Sequence, residues 1–265
     1  MRRCFLVTLQ FDGSEFLGWQ RQKTGRTVQD EVEQVLARLT GARVPAHAAG
    51  RTDAGVHAQG LAVSFSMPAT WTPETVRRAM NALLPRDCWV AAAHEMRDGF
   101  HARTKAHSRR YQYAIGCDEA AASPFRRRYE WALGRALDAT ALDAAARVIE
   151  GEHDFSGFAA KGEPKPHFRC QLSEASWEAR LDGRGFRFNV EADRFLQHMV
   201  RMLVGTMVDV ALGRRPLSDM QRLLDARENQ DTSPPAPPQG LYFVRATYPT
   251  EWYLDRTPLA AGALA

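Results

Sequence analysis

The chain has 265 residues, 45% of them apolar and 25% charged, with a net charge of +4 and a pI of about 9.0. This length accommodates one large or two ordinary domains, and the balance is that of a soluble globular protein. No apolar run reaches the roughly 18 residues of a spanning helix, and the mild basic excess is compatible with a polyanionic partner.

Residues 4–11 alternate, with Phe5, Val7, Leu9 and Phe11 on one side and Thr8 and Gln10 on the other. That predicts a half-buried first strand rather than a signal peptide, because the apolar run soon meets Gln10 and Asp12. A Gly-rich stretch follows, carrying Phe16 and Trp19 among Arg and Gln. As exposed rings they stack on bases; as buried rings they form a small satellite core under a long loop. Thr27, with Asp30 after it, opens a helix whose stripe is Val28, Val32, Val35, Leu36 and Leu39, and Gly41 ends it.

Residues 49–60, AGRTDAGVHAQG, stand between this helix and an apolar strand at 61–67. The one carboxylate, Asp53, has Arg51 before it and Gly55 after it. Glycine lets backbone approach a ligand, and a nearby Arg keeps a carboxylate ionised or holds a phosphate. An isolated D-x-G is most often a turn in which Asp caps its own backbone, so these residues alone leave both readings open.

Thr72-Pro73-Glu74 is a helix start, with Val76, Ala79, Met80 and Leu83 as the buried face and Pro85 as the stop. Residues 88–96 and RYQYAI at 110–115 read as strands, and Asp138 caps a helix that ends at Gly151. Residues 151–168 read as a mobile loop that closes over a ligand. In it, His153 and Asp154 are either acid/base partners or part of a capped helix end. Strands at 171–180 and 185–191 are joined by a hairpin signal at Asp182-Gly183.

Residues 192–214 read as the longest helix, largely buried. Arg201 inside it is costly unless paired: it is either on the solvent face or in a cleft, meeting a carboxylate. Ser218 caps a short helix, 231–240 is a Pro-rich crossing, and 241–248 is a last strand. The expected fold is α+β. Two similar lobes, 1–105 carrying the Asp53 loop and 106–265, each have an antiparallel sheet with helices on one face and a cleft between them.

No Walker loop, G-x-G-x-x-G, H-E-x-x-H or G-x-S-x-G occurs. His94 with Glu95, and His47 with His57, lack a third ligand at useful spacing, so no metal site is expected. Cys4, Cys88, Cys117 and Cys170 are scattered without a C-x-x-C pair, against zinc or a disulfide framework and in keeping with a reducing cytoplasm. Basic residues cluster at Arg21, Lys23 and Arg26; at Arg103, Lys105, Arg109 and Arg110; at Arg126–Arg128; and at Arg214 and Arg215. One such cluster is most often a solvated face, but several beside aromatics favour nucleic acid.

Taken together, FDGSEFLGWQRQ (11–22), TVQDEVE (27–33), GRTDAGVHAQG (50–60), NALLP (81–85), FHAR and RRYQY (100–113), FLQHMVRMLVG (195–205) and PPQGLYF (237–243) carry a resemblance over nearly the whole chain. The chain resembles the TruA family of tRNA pseudouridine synthases. The resemblance implies isomerisation of uridine at positions 38–40 of the tRNA anticodon stem-loop, without cofactor or metal. It implies an RNA-binding cleft between the lobes, a cytoplasmic homodimer and no membrane association. The bond from ribose carbon 1′ to the base nitrogen breaks and is remade to carbon 5, on a base drawn from its stack.

By the same resemblance Asp53 is the catalytic aspartate, which attacks the sugar carbon or removes a ribose proton. Tyr111 matches a tyrosine that stacks on the uracil; read by itself it is a strand residue packing on its neighbours. Arg201 matches a helix arginine that pairs with the aspartate. Arg51 matches an arginine that helps extrude the base or contacts phosphate, and Leu241 matches an apolar residue backing the base. The chain departs from the family pattern at Gly157, where a second Ser is common, and in lacking an R-T-I ending to that segment. The tail after Tyr253 reads as a frayed end. Other readings are a non-catalytic RNA-binding protein of this fold and a base–sugar hydrolase, although no second carboxylate is placed to activate water.

Overall fold

A computed structural model describes residues 1–160, 167–229 and 231–254. Along the chain run β1 (Arg2–Phe11), α1 (Val28–Thr40), β2 (His47–Ala48), β3 (His57–Pro68), α2 (Pro73–Leu83) and β4 (Cys88–Met96). Then come β5 (Ser108–Gly116), β6 (Trp131–Ala132), α3 (Ala139–Val148), β7 (Gly151–Asp154), β8 (Arg169–Ala179) and β9 (Gly185–Ala192). The last elements are α4 (Met199–Ala211), α5 (Ser218–Leu224) and β10 (Leu241–Thr247). The architecture is α+β, with mostly antiparallel strands. The chain divides into two units, Met1–His107 with the chain from Phe243 onward, and Ser108–Tyr242.

In the first unit the strand order is β4-β1-β3-β10, with β2 paired to β3. Strand β1 is antiparallel to both neighbours, Val7 facing Val63 of β3 and Ala93 of β4. Alternation predicted one buried side, but Leu6 is as buried as Phe5 and Val7, the pattern of a strand covered on both faces. Helix α2 packs on β4 and α1 packs on α2. Their starts follow from side-chain chemistry: the Thr27 hydroxyl accepts the Asp30 amide, and Thr72 with Thr75 forms a reciprocal capping box. Gly41, at φ 72°, closes α1.

Phe16 and Trp19 are buried, at 2% and 3% exposure. Phe16 meets Phe11 edge-on, and the Arg26 guanidinium lies over the Phe16 ring, 4.1 Å from its centroid. Of the two readings of these rings, the satellite core holds.

In the second unit the order is β5-β9-β8-β7, antiparallel throughout, with β6 added in parallel to β5. Helix α3, capped by Asp138, packs on α4 and β8. The β8–β9 hairpin turns at Gly183, φ 65°.

Three expectations change here. Residues 151–154, read as part of a loop, form β7, whose polar Gly-Glu-His-Asp sequence hides its pairing to β8; residues 161–166 of that loop lie outside the described residues. The long helix begins at Met199 rather than near 192, because β9 runs to Ala192 and His198 is left-handed at φ 61°. Ser218 is the first residue of α5 rather than its cap, which is Leu217.

Gly157, the departure from the family pattern, sits against α5: a Cβ there would lie 2.0 Å from the Leu223 carbonyl oxygen. No hydroxyl-bearing side chain fits that spacing. Leu254, the first residue of the expected frayed tail, donates its amide to Glu95 at 3.0 Å, and 255–265 lie outside the described residues. Among the described residues no helix is long and apolar enough to cross a membrane. None of the four cysteines is in a disulfide among the described residues, and three of them are buried.

Candidate active site

The Asp53 loop is assembled by the segment that precedes α1. Trp19 donates its amide to the Thr52 carbonyl at 3.0 Å, and Gly55 donates to Phe16 at 3.2 Å. Within the loop the Val56 amide returns to the Asp53 carbonyl at 3.2 Å, with Gly55 at φ 77° in the third position of the turn, where positive φ is required. Two glycines permit the approach. A Cβ at Gly13 would lie 2.1 Å from the Val56 oxygen, and one at Gly18 would lie 2.4 Å from the Thr52 oxygen. Asp53 itself is half-buried and Arg51 is exposed.

A histidine holds the other end of the clamp. The buried His57 accepts the Gly13 amide at Nδ1, 3.0 Å, while Asp12 accepts the amide and hydroxyl of Ser14. His57 therefore builds the loop. His47 stacks instead on His101, their rings 4.5 Å apart. Among the described residues no group of three His, Cys, Asp or Glu is placed to hold a metal. Thr52 is 6% exposed, and its hydroxyl meets no hydrogen-bond partner among the described residues, an uncommon state for a buried oxygen.

The FHAR segment is tied into the same unit. The Ala102 amide donates to Ser64 Oγ at 2.9 Å, and the Tyr248 hydroxyl donates to the Ala102 carbonyl at 2.8 Å.

Tyr111, Arg201 and Leu241 belong to the second unit. Tyr111 lies on β5 opposite Val190, 7% exposed, with Phe195 edge-on at 5.1 Å. Arg201, half-buried on α4, donates from Nε to the Ala236 carbonyl at 2.7 Å, and the Ala236 amide returns to the Arg201 carbonyl at 2.9 Å. The Pro-rich crossing thus docks on α4, where a Cβ on Gly205 would lie 2.3 Å from the Pro234 oxygen. Leu241 is buried at the end of this crossing.

The residue that sequence reasoning passed over is Tyr113. It is fully buried, its hydroxyl donates to the Pro237 carbonyl at 2.7 Å, and its ring abuts Gly240, where a Cβ would come within 2.6 Å. It therefore sets the turn that delivers Leu241. Its only signal in the sequence was the alternation of RYQY.

Many of the basic residues are engaged in pairs. Arg21 meets Asp30 and Glu33, Arg26 grips Asp87 and Glu31, and Arg110 meets Glu174 and Glu191. Arg214 and Arg215 meet Asp209 and Asp219. His153 and Asp154 are local in their bonds: Asp154 accepts the Ser156 amide at 2.9 Å, and His153 Nε2 lies 2.7 Å from the Glu150 carbonyl. They border a cleft of about 700 Å³ with Glu152, Asp225 and Arg227. That cleft contains none of the expected site residues, and its carboxylates disfavour a phosphate.

The Asp53 carboxylate thus sits on a loop fixed by glycines and backbone bonds, in an α+β chain. A family model described as tRNA pseudouridine synthase matches residues 8–104 and 145–249. The chain is 42% identical over 247 residues to the tRNA pseudouridine synthase A of Moorella thermoacetica, covering 92% of this chain and 99% of that protein. It is 38% identical over 242 residues to that of Myxococcus xanthus (91% of each chain), and 37% identical over 257 residues to that of Ralstonia nicotianae (96% and 93%). The chain belongs to the tRNA pseudouridine synthase family, and is an isomerase.

Proposed function

We propose that the protein converts uridine to pseudouridine in tRNA, at positions 38–40 of the anticodon stem-loop, with Asp53 as the essential carboxylate. The observation that carries this reading is the Asp53 loop, held by the Trp19–Thr52 and Gly55–Phe16 bonds while its carboxylate stays half-exposed. Such a loop keeps a nucleophile or base in place without relying on the substrate to order it. Asp53 attacks ribose carbon 1′ or removes a ribose proton, the bond to the base nitrogen breaks, and the freed base turns and bonds to carbon 1′ through carbon 5 as the carboxylate leaves that carbon or the ribose proton returns; carbon 5 then loses its proton and the freed nitrogen gains one. Tyr111 supplies a ring face to the uracil and Leu241 an apolar backing. Arg201 supports the Asp53 charge, and the exposed Arg51 meets phosphate or assists extrusion of the base. The family resemblance adds a homodimer acting in the cytoplasm.

The test is a site map. Unmodified tRNA transcripts are incubated with the protein, and pseudouridine is located by carbodiimide labelling and primer extension. Stops at 38–40 that vanish with Asp53→Asn, while tRNA affinity stays within about tenfold, support the assignment, because the amide keeps the shape and loses basicity. Tight binding with no stops favours the non-catalytic reading, and stops elsewhere overturn the target positions.

A further inference from the structure

The loop that carries Asp53 leans on the short 3-10 turn Gly13–Glu15. Its Gly55 amide donates to the Phe16 carbonyl at 3.2 Å, and the Phe16 amide closes the turn on the Gly13 carbonyl at 3.0 Å. The Phe16 ring, edge-on to Phe11 and under the Arg26 guanidinium, anchors the far end of the turn.

The near end has amides to satisfy, because the first N–H groups of a helical turn have no acceptor within it. Asp12 Oδ1 accepts the Ser14 amide at 3.0 Å and the Ser14 hydroxyl at 2.6 Å. The Gly13 amide goes instead to Nδ1 of His57, at 3.0 Å. That nitrogen, 3.3 Å from Asp12 Oδ1, therefore acts as an acceptor, with the ring's proton on Nε2. His57 is 2% exposed, and a buried amide that loses its acceptor is costlier than one that turns to water.

Two features carry this contact beyond its own neighbourhood. His57 is the first residue of β3 and follows Gly55 by two positions. One ring thus ties the end of the Asp53 loop to the turn that holds its middle. The turn and the loop also meet backbone to backbone, since a Cβ on Gly13 would lie 2.1 Å from the Val56 oxygen. A shift of the turn passes directly to residues 53–56, because close-packed backbone has no side chain to rotate and absorb it.

We infer that His57 is a positioning residue for the reaction at Asp53, acting through its Nδ1 acceptor and the Gly13–Phe16 turn on the Gly55 amide. The inference rests on the isomerisation proposed above, in which the Asp53 carboxylate must be aligned on one ribose. A misplacement of about 1 Å at a reacting group costs up to about 100-fold in rate. RNA contacts made elsewhere on the chain keep their affinity, so the acceptor is felt in kcat and not in KM.

His57→Asn, His57→Gln and His57→Leu are made in the full chain. Asn sets its oxygen on Cγ, where Nδ1 stands in the imidazole; Gln sets its amide a bond further out, toward the place of Nε2; Leu offers no acceptor. Pseudouridine formation on an unmodified tRNA transcript is followed in single-turnover and steady-state assays, below the melting transition of each variant. Deuterium exchange is read at the Gly55 amide, with the Gly41 amide, bonded to Ala37 at 2.8 Å, as the control.

The Leu variant is expected to lose about 10- to 100-fold in kcat, with KM within about threefold of the wild type. It should exchange faster at Gly55 and not at Gly41. The Asn variant is expected to recover kcat to within about threefold of the wild type, and the Gln variant to resemble Leu. A Gln variant as active as Asn moves the requirement to the other end of the ring and overturns the inference. A Leu variant that melts lower yet turns over like the wild type also overturns it, leaving His57 a structural residue only. So does a loss carried by KM with kcat intact. If the Leu variant does not fold, the contrast between Asn and Gln decides. Wild-type protein on the same transcript separates the two readings. Product formed equally well by the wild type and the variants sinks the role of His57 alone, whereas tRNA binding without product from the wild type sinks the isomerisation itself.

Discussion

The Trp19 amide reaches the Thr52 carbonyl at 3.0 Å, across a gap that Gly18 leaves open beside the same oxygen. Gly18 is at φ +91°, a conformation that an L side chain rarely adopts, and a Cβ there would also lie 3.0 Å from the Asp53 carbonyl carbon. Gly18→Ala is therefore expected to destabilise the first unit by roughly 1–3 kcal/mol. It should lower turnover more than RNA affinity, because the displaced group carries Asp53. Urea melting and steady-state assays check it; wild-type stability together with wild-type turnover would show that the loop is not clamped at this point.

Tyr113→Phe removes the hydroxyl that donates to Pro237 at 2.7 Å. The expected loss is about 0.5–1.5 kcal/mol at neutral pH, with a raised KM if Leu241 backs the base. Burial also pushes the Tyr113 phenol well above its ordinary value of 10.0. Above about pH 10 the unfolded chain releases this proton while the folded chain retains it, so this contribution is present below pH 10 and falls as pH rises. The wild-type protein should lose stability over that interval faster than Tyr113→Phe. Parallel alkaline slopes would contradict the assignment.

Arg201→Met removes the Nε bond to Ala236. A hydrogen bond from a charged donor implies a loss of about 1.5 kcal/mol. The Ala236 amide, which donates to the Arg201 carbonyl, is a local reporter and should exchange with deuterium faster in the variant. Arg201→Lys is expected to behave like Met, since an ammonium offers no Nε–H at that point of the side chain. Unaltered exchange at Ala236 would mean that the crossing is held by other contacts.

His101 stacks on His47, and burial followed by the His47 charge lowers its pKa below the ordinary 6.5. Arg103 acts in the same direction. The unfolded chain then takes up this proton at higher pH than the folded one. The stabilising contribution is present above pH 6.5 and lost as pH falls. An NMR titration should place the His101 midpoint below that of an unfolded peptide, and His47→Gln should move it upward. A midpoint that ignores His47 would leave burial and Arg103 as the causes.

Where local chemistry decides an outcome, the sequence is a good guide. Thr27, Thr72 and Asp138 cap their helices as expected, because a cap needs only a side chain and an amide two or three residues on. The start of α4 was not legible, because it depends on the left-handed His198 and on a β9 strand that pairs with distant β5 and β8. Strand β7 was missed for a similar reason: its polar residues lack apolar alternation, and only the partner strand reveals it. The Asp53 motif stood out in the sequence, but the contacts that stiffen it come from Gly13 and Gly18, some forty residues earlier. The pairing of individual basic residues was not legible, since Arg26 and Arg110 find carboxylates on remote segments.

The residues from Phe243 that close the first unit beside β3 come from the far end of the chain. During synthesis, the sheet that supports the Asp53 loop must therefore wait until the residues after Tyr242 emerge. Until then the β3 edge reserved for β10 offers open amides and carbonyls to any passing strand. A ribosome that stalls within the second unit releases a nascent chain bearing the complete Asp53 motif but an unfinished support for it.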